Sequence, residues 1–321
     1  MKNLGERTAL PGRSLFRRID EILAGEGWVK PEFSSAIRSL QSESPGPSPL
    51  VLEIATRLLG LTQPRVALLT GFVVPKLFPQ GENDGPLGSI VLGQTLARIG
   101  FEPTLFTDPP LVETARWLTA EIGGSFPVRS LSQLDMGDAW NSFDAVIAIE
   151  KPGANERGVM HTFDGNAIRH GSLQVDALFH ACRRACISTF AIGDRGNEAG
   201  FGTIREAVQR VFPHTVACQC GCGAGILAAS CADFVLPAAV SNWGAYGVVA
   251  ALALLAERPD LAHTPAAEER LLRVAAVRGC ADGVLRRSSF GVDGLPGQLS
   301  VGVVAALHRV VQEAAEHQVE G

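Results

Sequence analysis

Three apolar runs, RVALLTG, DAVIAIE and ISTFAIGD, each lead into a corner where acidic residues stand among glycines. The corners are GENDGP at Gly81 to Pro86, IEKPG at Ile149 to Gly153, and GDRGNEAGFG at Gly193 to Gly202. Short continuous apolar runs bounded by turn residues fit strands covered on both faces, as in a parallel sheet. Ligands of open α/β sheets sit beyond the carboxyl ends of the strands, so three acidic corners at that edge point to one shared site.

Segments of helical length separate the runs. Helices are expected within 13–41 and over 50–59, 86–99, 110–122, 131–140, 174–186, 203–211 and 243–257, with strands over 65–70, 103–107, 126–129, 144–149, 187–192 and 233–239. Gly100 suits the end of the 86–99 helix, because a C-cap residue often takes a left-handed conformation. Strands alternating with helices of this length imply parallel pairing through right-handed crossovers. The fold class expected is α/β, a three-layer, mostly parallel doubly wound sheet. The proline- and serine-rich SESPGPSP at Ser42 to Pro49 reads as a linker. Residues 1–49 are therefore expected to be a helical N-terminal extension with that linker, and 50–321 the α/β catalytic domain.

A formal charge of −5 lacks the basic face that nucleic acid or an acidic membrane demands. Seven cysteines, unevenly placed, do not suit a disulfide framework and point to a reducing compartment. The apolar stretch 248–255 is too short to cross a bilayer, and the N-terminus, with Pro11 and Gly12 interrupting any amphipathic helix, lacks the pattern of a secretory signal. A cytoplasmic protein is expected. Its partners would be a small acidic metabolite and, as a homo-oligomer, further copies of the chain, with no nucleic acid and no membrane.

Each corner has a structural reading beside a chemical one. Asp84 either caps the helix that Pro86 opens or joins Glu82 as an oxygen ligand for a hard cation such as Mg2+ or Mn2+. Glu150 ends an apolar strand, where a carboxylate needs a partner: Lys151 or Arg157 in an ion pair, or a metal or proton-transfer role. Lys151 and His161 lie behind it and can supply charge or a proton. Asp194, Asn197 and Glu198 share a loop with Gly193 and Gly200, whose amides at a helix N-terminus suit an anion or merely a tight turn. Asn242, in SNWG, either caps the next helix or binds a substrate carboxylate. Asp282 and Asp293 sit in DG pairs that form turns or reach the site from the C-terminal segment. Cys218, Cys220 and Cys222 have C-x-C-x-C spacing, unlike the paired knuckles of structural zinc, and are expected to be structural and metal-free. No GxSxG elbow, HExxH or GxxxxGK[ST] loop occurs.

The succession TGF, GENDGP, AIEKPG, IGDRGNEAGFG, VSNWGAYG, ADGV and VDGLPG resembles the C-terminal catalytic domain of the D-glutamate cyclase family over nearly all the chain after the linker. The family pattern commonly has threonine at Asn83, arginine at Lys151, glycine at Arg195 and methionine at Phe201, and the first part of the larger cyclases has no counterpart here. The resemblance implies conversion of D-glutamate to 5-oxo-D-proline and water with help from Mn2+ or Mg2+. It places Glu82, Asp84, Glu150, Asp194, Asn197 and Glu198 in the site. Within that frame Glu82, Asp84 and Asp194 would hold the cation. Glu150 or Glu198 would take a proton from the ammonium, and Lys151 or His161 would give one to the departing oxygen. Gly193, Asn197, Gly200, Asn242, Asp282 and Asp293 would bind substrate. Competing readings are a divalent-metal-dependent phosphatase or related hydrolase acting on a phosphorylated compound, and a ligand-binding domain without turnover.

Overall fold

A computed structural model describes residues 12–61, 65–134 and 142–319. Residues 135–140 of the expected 131–140 helix, and the first eleven residues with Pro11, lie outside the described residues; Leu131–Gln133 form a 3-10 turn. Helix α1 (Arg13–Leu23) buries Phe16, Ile19, Ile22 and Leu23, which recur at the spacing of one helix face. Pro31 opens α2 (Pro31–Glu43), and α3 (Leu50–Leu59) follows the bend at 44–49. Asp20 of α1 joins these elements: its carboxylate accepts from the amides of Leu50 (2.7 Å) and Val51 (3.2 Å), capping α3 in place of the preceding Pro49. Side chains of all three helices enter the main hydrophobic core.

Beyond α3 the elements are β1 (Arg65–Thr70), α4 (Pro86–Arg98), β2 (Glu102–Thr107), α5 (Val112–Glu121), β3 (Val128–Ser130) and β4 (Ala145–Ile149). The loop after β4 holds a short hairpin, β5 (Met160–His161) with β6 (Ala167–Ile168), then come α6 (Asp176–Arg184), β7 (Ser188–Gly193), α7 (Arg205–Val211), β8 (Phe234–Pro237) and α8 (Ser241–Leu255). Two helices absent from the sequence reading, α9 (Pro265–Val277) and α10 (Gly297–Val319), flank a small ladder of β9 (Gly291–Val292) and β10 (Leu295–Pro296).

The main sheet has six parallel strands in the order β3-β2-β1-β4-β7-β8, flanked by helices in the three-layer α/β arrangement. Strand order runs outward from β1 to β3 on one side and from β4 to β8 on the other, so the topology reverses between β1 and β4. At such a reversal the connections leave the sheet in opposite directions and open a crevice at the carboxyl ends. The GENDGP corner follows β1, IEKPG follows β4 and GDRGNEAGFG follows β7. Helices α4 and α8 lie against these strands with nearly every residue buried, which explains why their sequences are apolar all round. No helix among the described residues is long and apolar enough to cross a membrane.

Candidate active site

The N-termini of α4 and α8 meet at the crevice and cap each other. Asp84, ahead of α4, accepts from the amides of Ser241 (3.0 Å) and Asn242 (2.8 Å), the first residues of α8. Asn242 returns the arrangement: its Oδ1 accepts from Gly85 (2.9 Å) and Gly88 (2.7 Å), and its Nδ2 donates to the Asn83 carbonyl (2.9 Å). The leading amides of both helices are satisfied this way, that of Gly85 also by Asp84 Oδ1 at 3.0 Å, and two positive dipole ends face the acidic corners. The contact demands glycine at position 85, whose φ is 90° and where a Cβ would lie 2.7 Å from Glu150 Cβ. Asp84 thus caps a helix, but α8 rather than its own α4. Asn242 is a positioning residue, fully occupied by backbone and not turned to a substrate.

Glu150 is the first residue beyond β4 and has φ 47°, a left-handed conformation that a non-glycine residue adopts only where its surroundings impose it. Ser241 Oγ donates to its Oε2. Asp194 stands one residue beyond the end of β7, 1% exposed, with Oδ2 on the Arg195 guanidinium and Oδ1 without any hydrogen-bond partner. Glu82 Oε1 is likewise buried and unpartnered. Glu82, Asp84, Glu150, Asp194, Asn197 and Asp293 all line one cavity of about 200 Å3, with Phe72, Phe78, Phe163 and Arg195 among the other walls. The three corners therefore converge.

Burial is the main influence on these acids. It raises the carboxyls of Glu82, Glu150 and Asp194 well above the ordinary range, and neighbouring carboxylates push each further up. For Asp194 the Arg195 charge opposes the rise. Asp84 is pushed up to about 7 by burial and then by Asp293, against the backbone bonds from Asn242 and Ser241. A cluster this short of compensating charge suits a cation.

The oxygens nearest one another differ from the expected metal set. Asp84, Asp194 and Asp293 bring one oxygen each within 4.8 Å, as do Glu150, Asp194 and Glu198; Glu82 belongs to neither group although it lines the same cavity. Asp293, at φ 55° in the turn between β9 and β10, reaches the cavity beside Asp84 and Asp194. Orphaned buried oxygens on Asp194 and Glu82, and an all-carboxylate donor set, fit a hard divalent ion.

Several other candidate residues are absent from the cavity lining, and their side chains have partners elsewhere. Lys151 is fully buried and turned from the cavity, with Nζ 2.8 Å from Asp108 Oδ2 and 3.0 Å from the Gly71 carbonyl. His161 points its Nε2 at Cys220 Sγ, 3.1 Å away. Neither side chain is placed to protonate a group in the cavity. Glu198 accepts from the amides of Asp194 (3.1 Å), Arg195 (3.1 Å) and Gly196 (2.6 Å), so the loop amides expected to bind a substrate anion are taken by the chain's own carboxylate. At Gly193 an added Cβ would meet Glu198 and Phe201, and at Gly200 it would meet Ala191 and Ala232; both serve packing. Asp282 accepts from Val284, Leu285 and Gly294, tying the C-terminal loop rather than facing the cavity.

Arg195, read from the sequence only as a departure from glycine, is the residue that reasoning missed. Its guanidinium forks onto Asp293 at 2.6 and 3.1 Å and reaches Asp194, while lying over the rings of Phe33 and Phe163. Phe33 belongs to α2, so an N-terminal helix packs against the Arg195 guanidinium. Asp194, adjacent in the sequence, was the local signal; Asp293 lies 98 residues beyond Arg195.

Human D-glutamate cyclase, mitochondrial, is 32% identical over 227 residues, which make up 63% of this chain and 35% of the relative. The chain thus spans about a third of that relative's length. The family described as D-glutamate cyclase-like, C-terminal matches residues 21–308, beginning inside α1 and reaching into α10, and the chain belongs to that family.

Proposed function

We propose that the chain is a D-glutamate cyclase-like lyase that closes D-glutamate to 5-oxo-D-proline with release of water, assisted by Mn2+ or Mg2+. The observation that carries this reading is the pair of buried, unpartnered oxygens, Asp194 Oδ1 and Glu82 Oε1, on a small cavity at the topological reversal of the sheet. Asp84, Asp194 and Asp293 would hold the cation, with Glu82 beside them. When bound there, a divalent ion supplies Lewis-acid polarisation of the γ-carboxylate, a poor electrophile otherwise.

In the reaction the amine nitrogen bonds to the γ-carboxyl carbon and one carbon–oxygen bond breaks. Two of the ammonium protons depart with that oxygen as water, so no proton is gained or lost overall. Glu150 suits this transfer: Ser241 Oγ fixes one of its oxygens, and the strained backbone aims the carboxyl into the cavity, where it can take a proton from nitrogen and return it to the leaving oxygen. Arg195 offers a planar guanidinium beside the cavity for the α-carboxylate, in exchange for part of its bond to Asp293. Asn197 stands on the same wall with its amide nitrogen held by the His161 carbonyl at 3.2 Å. Phenylalanines at 72, 78 and 163 limit water around the reacting atoms.

A phosphomonoester hydrolase is less well supported, because the loop amides a phosphate would use are bonded to Glu198. The test is incubation with D-glutamate and with L-glutamate in Mn2+ or Mg2+, following loss of primary amine and formation of 5-oxoproline, beside a generic phosphate ester. Metal-dependent 5-oxoproline from D-glutamate supports the proposal. Free phosphate without any cyclised product overturns it in favour of the hydrolase, and saturable ligand binding with no product favours a binding domain.

A further inference from the structure

The CQCGC segment lies outside the carboxylate cavity, yet its three sulfurs gather on one side of the chain. Cys218 Sγ is 3.4 Å from the sulfurs of both Cys220 and Cys222. Gly221 and Gly223, with φ of 74° and 76°, bend the segment so that alternate residues converge. Hydrophobic packing accounts for little of this, since all three cysteines are partly exposed and Cys218 alone of them packs against the main core, and none is in a disulfide. The fourth side of the cluster is His161, the last residue of β5, with Nε2 3.1 Å from Cys220 Sγ and 3.9 Å from Cys222 Sγ.

One ligand atom from each of the four residues lies within 4.8 Å of every other. A tetrahedral zinc ion with bonds of about 2.3 Å to sulfur and about 2.0 Å to nitrogen sets its ligand atoms roughly 3.5–3.8 Å apart. Four of the six separations, 3.1 to 3.9 Å, bracket that span. The atoms are gathered closely enough to share one ion and are too close together to enclose an iron–sulfur cluster. Asn155 Nδ2 donates to Cys222 Sγ at 3.2 Å, the outer bond that steadies a metal-bound thiolate. Gln219 fastens the same loop to the hairpin through Gly165 O (2.9 Å) and Asp164 O (2.7 Å).

We propose that His161, Cys218, Cys220 and Cys222 form a second, mononuclear metal site that takes Zn2+. Three thiolates and an imidazole select a soft or borderline ion over Mg2+ and Mn2+, which the carboxylate site suits. Four protein ligands leave no open position, so the ion is structural. It clamps loop 218–222 to the hairpin whose residues Thr162, Phe163 and Asp164 line the carboxylate cavity, and so holds one wall of that cavity in place. This proposal does not depend on the reaction assigned above.

The experiment is elemental analysis of protein purified in reductant without chelator. Wild type is expected to carry about one zinc per chain, as four ligands from one chain require; Asp194→Asn should keep it and Cys220→Ser should lose it. Cobalt exchanged into wild type should give the intense visible bands of a tetrahedral thiolate complex. Should Cys220→Ser fail to fold, thiol titration of folded wild type decides: chelation should expose thiols that were protected. Reduced, folded wild type that binds neither zinc nor cobalt, thiol reactivity unchanged by chelator, or full zinc content in folded Cys220→Ser would each overturn the proposal.

Discussion

Lys151→Met separates a structural lysine from a catalytic one. Both Lys151 and Asp108 have side chains with 0% exposure, and the ion pair spans 2.8 Å. At an effective dielectric near 20, two unit charges at that distance attract by about 6 kcal/mol. Burial nevertheless pushes the lysine pKa down and the aspartate pKa up, so desolvation offsets much of the attraction. The net worth of the pair is therefore small, while removal of one partner strands the other charge among apolar neighbours. Asp108 would keep its bonds from the Leu173 amide, 2.8 Å from Oδ1, and the Ser172 hydroxyl, and would be driven to take up a proton. Lys151→Met is expected to lose about 3–5 kcal/mol of stability in urea unfolding at neutral pH. Lys151→Met with Asp108→Asn should recover part of that loss, because the stranded charge is gone while an oxygen remains for Leu173. Turnover per folded molecule should persist. A Lys151→Met protein within 1 kcal/mol of wild type, with D-glutamate cyclisation abolished, would refute this reasoning and return Lys151 to the chemistry.

Two further outcomes follow from the carboxylate cluster. Because burial raises Asp84 to about 7 from 3.8, its contribution is fully present below the unfolded pKa and is lost as pH rises through about 7; the same sign holds for Glu82, Glu150 and Asp194. Metal-free protein should thus melt at a lower temperature at pH 8 than at pH 6, with Mn2+ reducing the difference, and a metal-free melting temperature that rises over that range would count against the cluster. Arg195→Met removes the guanidinium from Asp194 and Asp293, so metal-free stability should fall by roughly 2–5 kcal/mol and be restored in part by Mn2+. Equal losses with and without Mn2+ would show that Arg195 and the cation do not share a site.

Legibility in the sequence followed the range over which each signal acts. Buried strands and helix ends are local, so β1, β4, β7 and the corners after them could be read from apolar runs, prolines and glycines. The sheet edge where the corners meet could be inferred as well, but the side-chain partners joining distant segments could not. The mutual capping of Asp84 and Asn242 links residues 158 apart, and its two halves each looked like an ordinary cap of the adjacent helix. Glu198 fills the nest formed by its own loop, so what looks in sequence like a binding motif is a self-satisfied turn. His161 reaches Cys220 across 59 residues, so the three cysteines lacked a visible fourth ligand. The segment after α8 was read for its DG turns alone, although α9 and α10 bracket the turn that delivers Asp293.

The central claim is that carboxylates from separate corners share one hard cation. The most direct test is a crystal structure of the protein equilibrated with Mn2+, with data collected for anomalous scattering from manganese. The account predicts a strong peak in the cavity, within bonding distance of Asp194 and of at least one of Asp84, Asp293 and Glu82, at about 2.0–2.3 Å from oxygen. A well-ordered cavity with the Arg195 guanidinium still on Asp194 and no manganese peak at saturating Mn2+ would contradict it.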